Sequence, residues 1–82
     1  MSEKLLVDVV GWIGSLEVVT AYLLISTHKV NSRSARYQLL NFTGAIFLIV
    51  NTIYYGAYPS TFINVVWVGI ALVALIGIFA RR

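Results

Sequence analysis

The stretch that decides the fold is residues 37–80, which reads YQLLNFTGAIFLIVNTIYYGAYPSTFINVVWVGIALVALIGIFA and holds 44 residues without one Asp, Glu, Lys, Arg or His. As a single helix it would be about 66 Å long, roughly twice the thickness of a hydrocarbon core. It must therefore fold back once. Residues 56–60, Gly-Ala-Tyr-Pro-Ser, mark the break, because glycine suits a helix end and proline a helix start. Two spans follow, near 37–56 and 60–80.

A further apolar segment precedes this stretch, at about residues 5–27. It is long enough to cross a bilayer, and it lacks a clear small-residue cleavage site, so we predict a permanent helix rather than a signal peptide. The whole chain is 60% hydrophobic and 11% charged. Soluble domains carry about a quarter charged residues. We therefore predict an all-α integral membrane protein, with one domain over residues 1–82 built as a three-transmembrane-helix bundle.

Basic residues at the ends of the segments predict the orientation. The side shared by the first loop and the C-terminus carries Lys29, Arg33, Arg36, Arg81 and Arg82. The opposite side carries only Lys4, beside Glu3. We therefore predict a protein that crosses the inner cell membrane several times. The positive-inside rule places its N-terminus outside and its C-terminus in the cytoplasm. Because the basic residues serve this purpose, the net charge of +3 does not indicate a nucleic-acid partner.

Glu17 lies close to the middle of the first span. An ionised carboxylate at that depth is costly, so it is expected to be neutral, hydrogen-bonded or in contact with water. A proton relay or a contact for a polar substrate is one interpretation, and an interhelical hydrogen bond that fixes packing is the other. Asp8 is nearer the outer boundary, where it can reach water.

Two amides and a tryptophan form the second polar feature. Asn51 and Asn64 each lie about five residues inside the outer boundary, at a shared depth of roughly 7 Å. They could pair across helices, or line a pocket that binds sugar-like hydroxyls. Trp67 follows Asn64 at i, i+3 on the same helical face, a combination that suits sugars, although a packing role is as good an interpretation. These four residues, Glu17, Asn51, Asn64 and Trp67, are the predicted substrate-binding set.

Small residues predict where helices approach one another closely. Gly11, Gly14, Gly44 and Gly69 are expected to form a packing seam. The chain has no cysteine and one histidine, with no acid pair, phosphate loop or metal-ligand spacing. We therefore expect no enzyme activity, no cofactor and no metal site.

The residues also carry a resemblance to known families. Gly11-x-x-Gly14, residues 37–41 and 44–45, and Asn64-x-x-Trp67 resemble a family of small, functionally uncharacterised bacterial membrane proteins. More distantly, Tyr55-Gly56 and Asn64 resemble the SemiSWEET sugar transporters of the PQ-loop superfamily, although Ala21-Tyr22 replaces their Pro-Gln pair. That resemblance implies a parallel homodimer with a substrate pocket between the protomers.

Three functions remain open. The first is a transporter half-unit of SemiSWEET-like type, which works as a homodimer on a small polar solute such as a sugar. The second is a small structural or regulatory subunit that binds a larger membrane protein. The third is a holin-like pore former. In each case the lipid bilayer is the solvent for the apolar surface.

Overall fold

The computed structural model describes residues 2–81 and contains three helices there: α1 at Glu3–Ser26, α2 at Ala35–Tyr54 and α3 at Tyr58–Ala80. Each is long and apolar enough to cross a membrane, which confirms an all-helical chain with three candidate spans. Every helix begins two residues before the position expected from the sequence, and α2 also ends two residues earlier. Arg82, expected on the cytoplasmic side, lies outside the described residues.

The middle helix holds the other two together. α2 packs against α1 on one side and against α3 on the other, while no Cα atom of α1 lies within 8 Å of α3 in the described part of the chain. The molecule measures 42 × 22 × 22 Å. Its long dimension therefore exceeds the roughly 30 Å of a hydrocarbon core, as expected for helices that cross it and end in the interfacial regions.

Glycines set the distance between α1 and α2. A Cβ atom on Gly14 would lie 2.8 Å from the Gly44 carbonyl oxygen, and one on Gly44 would lie 2.9 Å from the Val18 side chain. Gly11 is covered by the side chain of Asn51. The small-residue seam is thus confirmed at these three glycines, where only a missing side chain lets the helices meet. Gly69 is different, because a Cβ there would meet nothing within 4 Å.

Small side chains are also buried on α2 and α3. Ala45 and Ala71 are fully or almost fully buried, with exposures of 0% and 2%. Near the turn that joins these two helices, the Thr61 hydroxyl donates a 2.7 Å hydrogen bond to Thr52 Oγ1. The remaining surface is largely apolar, and large side chains such as Phe62 stay exposed on α3. Such a surface suits lipid or another membrane protein.

Both turns end their helix in the same way. The amide of Lys29 donates to the Leu24 carbonyl at 2.9 Å, and the amide of Ala57 donates to the Thr52 carbonyl at 2.8 Å. His28 and Gly56 occupy the left-handed position of these two Schellman turns, at φ values of 59° and 70°. Glycine adopts this conformation without strain, so the short turn at residues 55–57 fits its sequence.

Candidate functional site

Glu17 makes the central polar contact between α1 and α2. The Thr43 hydroxyl donates a 2.6 Å hydrogen bond to Glu17 Oε2. That hydroxyl also lies 2.8 Å from the Leu39 carbonyl, so its single proton is shared between two acceptors. The other carboxylate oxygen, Oε1, is buried and has no hydrogen-bond partner among the described residues. A buried acceptor without a donor is costly, so Oε1 needs a donor from outside the described residues.

An open groove of about 510 Å³ runs beside this contact. Its walls are apolar apart from the Glu17 and Thr43 side chains and the Arg36 side chain near the start of α2. Leu39 and Leu40 line the stretch between them. The groove therefore connects the middle of α1 with the basic end of α2.

Asn51 is directed towards α1 rather than towards α3. Its side-chain nitrogen Nδ2 donates a 3.1 Å hydrogen bond to the Val7 carbonyl. It reaches that carbonyl across the face of Gly11, where a Cβ atom would collide with the same nitrogen. Asn51 thus ties the two helices together, and its carbonyl oxygen remains available as an acceptor.

Asn64 and Trp67 lie on α3, which does not contact α1, the helix that carries Glu17, in the described chain. Asn64 is half-buried and makes no side-chain hydrogen bond within residues 2–81. Trp67 is 49% exposed and borders a cleft of about 90 Å³ between α2 and α3, next to the buried amide of Asn41. No hydrogen bond joins Asn51 to Asn64 in the described chain. The four predicted binding residues therefore do not line one cavity within a single protomer.

A second groove lies at the opposite end of the α1–α2 contact, and we call it the outer groove after the side of the membrane that the sequence predicts for this end. It has a volume of about 260 Å³ and is lined by Asp8, Gly11, Trp12, Ser15, Asn51 and Tyr55. Tyr55, just beyond the end of α2, donates a short hydrogen bond from its hydroxyl to Asp8 Oδ1. This bond, together with the negative charge of Asp8, raises the pKa of Tyr55 to about 12. The hydroxyl therefore remains a donor throughout the physiological range.

Sequence reasoning did not assign Asp8, Thr43 or Tyr55 to a site. The signal for the outer groove is the i, i+4, i+7 spacing of Asp8, Trp12 and Ser15, which places three non-aliphatic side chains on one helical face. Thr43 gives no such signal, because a threonine in an apolar helix commonly bonds its own backbone, as this one also does to Leu39. Within residues 2–81, no three acidic or imidazole side chains group to hold a metal ion.

Comparison with known proteins gives one match. A family model matches residues 7–82, almost the whole chain, and the family is uncharacterised. No curated protein and no solved structure matches the chain. The expected membership of an uncharacterised family is thus confirmed, whereas similarity to the SemiSWEET transporters receives no support from these comparisons.

Proposed function

The chain belongs to this uncharacterised family, and from that premise we propose that it is one half of a transporter for a small polar solute such as a sugar, working as a parallel homodimer. The observation that carries the proposal is Glu17 Oε1, a buried acceptor that the protomer leaves without a donor in the middle of a span. Lipid cannot supply that donor. A partner protomer, water or a polar solute can.

Two further amides support the same conclusion. Asn41 is only 8% exposed and Asn64 is half-buried, yet neither side chain has a hydrogen-bond partner within residues 2–81. A polar group held in an apolar environment without a partner costs free energy. In a dimer with a hydrated path between its protomers, these amides gain partners while the apolar outer surface stays in lipid.

The separation of α1 from α3 favours a second copy. Three helices in which the outer two do not meet cannot enclose a solute path. A two-fold dimer supplies six helices and a closed path along its axis. In this arrangement, Glu17 and Asn51 of one protomer face Asn64 and Trp67 of its partner. Rocking of the two bundles about the axis then gives alternating access.

The proposal places the protein in the inner membrane, with the N-terminus outside and the C-terminus in the cytoplasm. The first loop and the end of α3 carry the exposed basic residues Lys29, Arg33 and Arg81. Positive charge of this kind is retained on the cytoplasmic side. The proposal assigns the chain no catalytic activity, no cofactor and no nucleic-acid partner.

A flux assay in proteoliposomes tests the proposal. The assay measures uptake of radiolabelled sugars and other small neutral polar solutes. It compares the wild-type protein with Glu17→Gln, Asn64→Ala and Trp67→Ala. Val73→Ala is the control, because Val73 is 71% exposed on the apolar surface. We expect uptake above that of empty vesicles, at least a tenfold loss in the three site variants and no change in the control. Absence of uptake for every solute, or equal uptake by all variants, contradicts transport.

A second candidate function rests on the polar side chains that already have hydrogen-bond partners within the protomer. Asn51 and Asp8 both make hydrogen bonds inside the protomer, which suits polar residues that fix helix packing. The exposed apolar side of α3 would then bind a larger membrane protein, and the chain would be a structural or regulatory subunit. Copurification of one stoichiometric partner from native membranes, together with a monomeric mass in detergent, would favour this function over transport.

A further inference from the structure

The outer groove is lined almost entirely by groups that accept hydrogen bonds or attract positive charge. The carboxylate of Asp8 uses Oδ1 for the Tyr55 hydroxyl and keeps Oδ2 available. The side-chain nitrogen of Asn51 donates to the Val7 carbonyl, so the side-chain oxygen is the end of the amide that remains free to accept. Ser15 adds a hydroxyl, and no lysine or arginine lines the groove.

An aromatic ring completes this lining. Trp12 is 71% exposed and lies one helical turn from Asp8 on the same face of α1. The face of an indole ring attracts cations, more strongly when the site is partly shielded from water. A carboxylate beside an accessible indole is a combination that stabilises a compact organic cation on two sides.

We propose that the outer groove binds a small organic ammonium group, held by the Asp8 carboxylate, the Asn51 carbonyl oxygen and the face of Trp12. The groove has room for such a group, at about 260 Å³. A divalent metal ion fits less well, because Asp8 is the one acidic residue in the lining and the indole ring is not a metal ligand. The site lies within one protomer and does not depend on transport.

Ammonium groups reach an outer membrane boundary from two sources. One is a free ammonium compound such as choline or ethylammonium, and the other is the headgroup of phosphatidylethanolamine. All of them present a compact positive charge to Asp8 and Trp12. The lipid composition around the protein separates them, because phosphatidylglycerol carries no ammonium group.

The experiment is a calorimetric titration of the full chain in nanodiscs of phosphatidylglycerol. Choline and ethylammonium are compared with 3,3-dimethylbutan-1-ol, the neutral isostere of choline. We expect choline to bind at least tenfold more tightly than the neutral isostere. Asp8→Asn and Trp12→Leu should each weaken choline binding at least fivefold, whereas Trp12→Phe should weaken it less because a ring remains. Glu3→Gln is the matched control, since Glu3 is an exposed acid at the same end of α1 outside the groove.

Tyr55→Phe is a variant that should retain binding, so it keeps the proposal testable if the other variants misfold. It leaves the Asp8 carboxylate in place and removes the hydroxyl that occupies Oδ1, so choline should bind at least as tightly as to the wild-type protein. Choline binding no tighter than that of the neutral isostere, or unchanged binding by Asp8→Asn, would overturn the proposal.

A second set of nanodiscs identifies the source of the cation. Half of the lipid is replaced by phosphatidylethanolamine or, at the same surface charge, by an uncharged glycolipid without an ammonium group, and the choline titration is repeated. Weaker apparent choline binding in phosphatidylethanolamine than in the glycolipid supports the lipid headgroup as the occupant, and equal binding supports a free ammonium compound. Both results retain the ammonium site established in the first set.

Discussion

The Thr43 hydroxyl donates a 2.6 Å hydrogen bond to Oε2 of Glu17 and thereby joins α2 to the middle of α1. The bond lies beside the Gly14–Gly44 crossing, since a Cβ on Gly44 would also lie 3.2 Å from the Glu17 Cβ atom. The backbones of the two helices therefore approach each other closely beside the bond between Thr43 and Glu17. Close approach and a polar bond reinforce each other at this point, because a longer separation would break the bond.

The first prediction concerns that hydrogen bond. Thr43→Val keeps the shape of the side chain and removes the hydroxyl, so Glu17 Oε2 loses its donor and neither oxygen of the carboxylate has one inside the protomer. We expect the free energy of unfolding to fall by about 1 kcal/mol, within the range of interhelical hydrogen bonds in membranes. Reversible unfolding in mixed micelles, followed by circular dichroism, measures the change. Thr43→Ser retains the hydroxyl and serves as the control; equal stability of the valine and serine variants would count against this role.

The second prediction compares two glycines. Gly14→Ala places a Cβ 2.8 Å from the Gly44 carbonyl oxygen, so α1 and α2 must move apart, at a cost of about 1–3 kcal/mol. Gly69→Ala meets nothing within 4 Å and should be neutral or stabilising by up to about 1 kcal/mol, because alanine favours a helix over glycine. The same unfolding assay measures both. A Gly14 variant as stable as the Gly69 variant would show that the helices do not cross as described.

The third prediction concerns pH. The hydrogen bond to Asp8 raises the pKa of Tyr55 to about 12 from its ordinary value near 10.0. The folded state thus prefers the protonated hydroxyl, and this contribution to stability is fully present below pH 10 and lost as the pH rises from about 10 to 12.

Absorbance at 295 nm, as the difference between the wild-type protein and Tyr55→Phe, follows this titration. Asp8→Asn should return the Tyr55 midpoint towards 10, because both the charge and the carboxylate acceptor are removed. A Tyr55 midpoint that is the same with and without the Asp8 carboxylate would mean that the two side chains do not interact.

The fourth prediction concerns orientation. The chain has no cysteine, so single cysteines can report topology without further changes. Ala57→Cys, in the turn after α2, should react with a membrane-impermeant maleimide in intact cells, and Ser32→Cys, in the loop after α1, only after permeabilisation. The opposite pattern would place the basic loop outside and reverse the orientation given by the positive-inside rule.

The sequence was sufficient for the number and the approximate ends of the helices. An uncharged stretch of 44 residues is too long for one crossing, and Gly56 and Pro59 mark the point where it must break. The structure places both residues at that point, Gly56 in a left-handed turn and Pro59 in the first turn of α3. Length and backbone chemistry are local properties, which is why they can be read from the chain alone.

The directions in which the polar side chains point could not be predicted from the sequence. Asn51 and Asn64 share a depth, which follows from the rise per residue, but Asn51 bonds the Val7 carbonyl and not Asn64. The rotation of each helix about its own axis decides which neighbour a side chain meets. In a helix that is apolar all round, such as α3, the pattern of residues does not fix that rotation. For the same reason Gly69 does not share the seam formed by Gly14 and Gly44.

The absence of contact between α1 and α3 has a consequence for how changes combine in this molecule. Gly14 lies on α1 and Ala71 on α3, and these two helices do not contact each other in the described chain. Substitutions at the two positions can therefore affect each other only through α2. Their effects on the unfolding free energy are expected to add, as they do for distant sites. Any coupling between the two sides must therefore pass along the middle helix, which alone packs against both α1 and α3 in the described part of the chain.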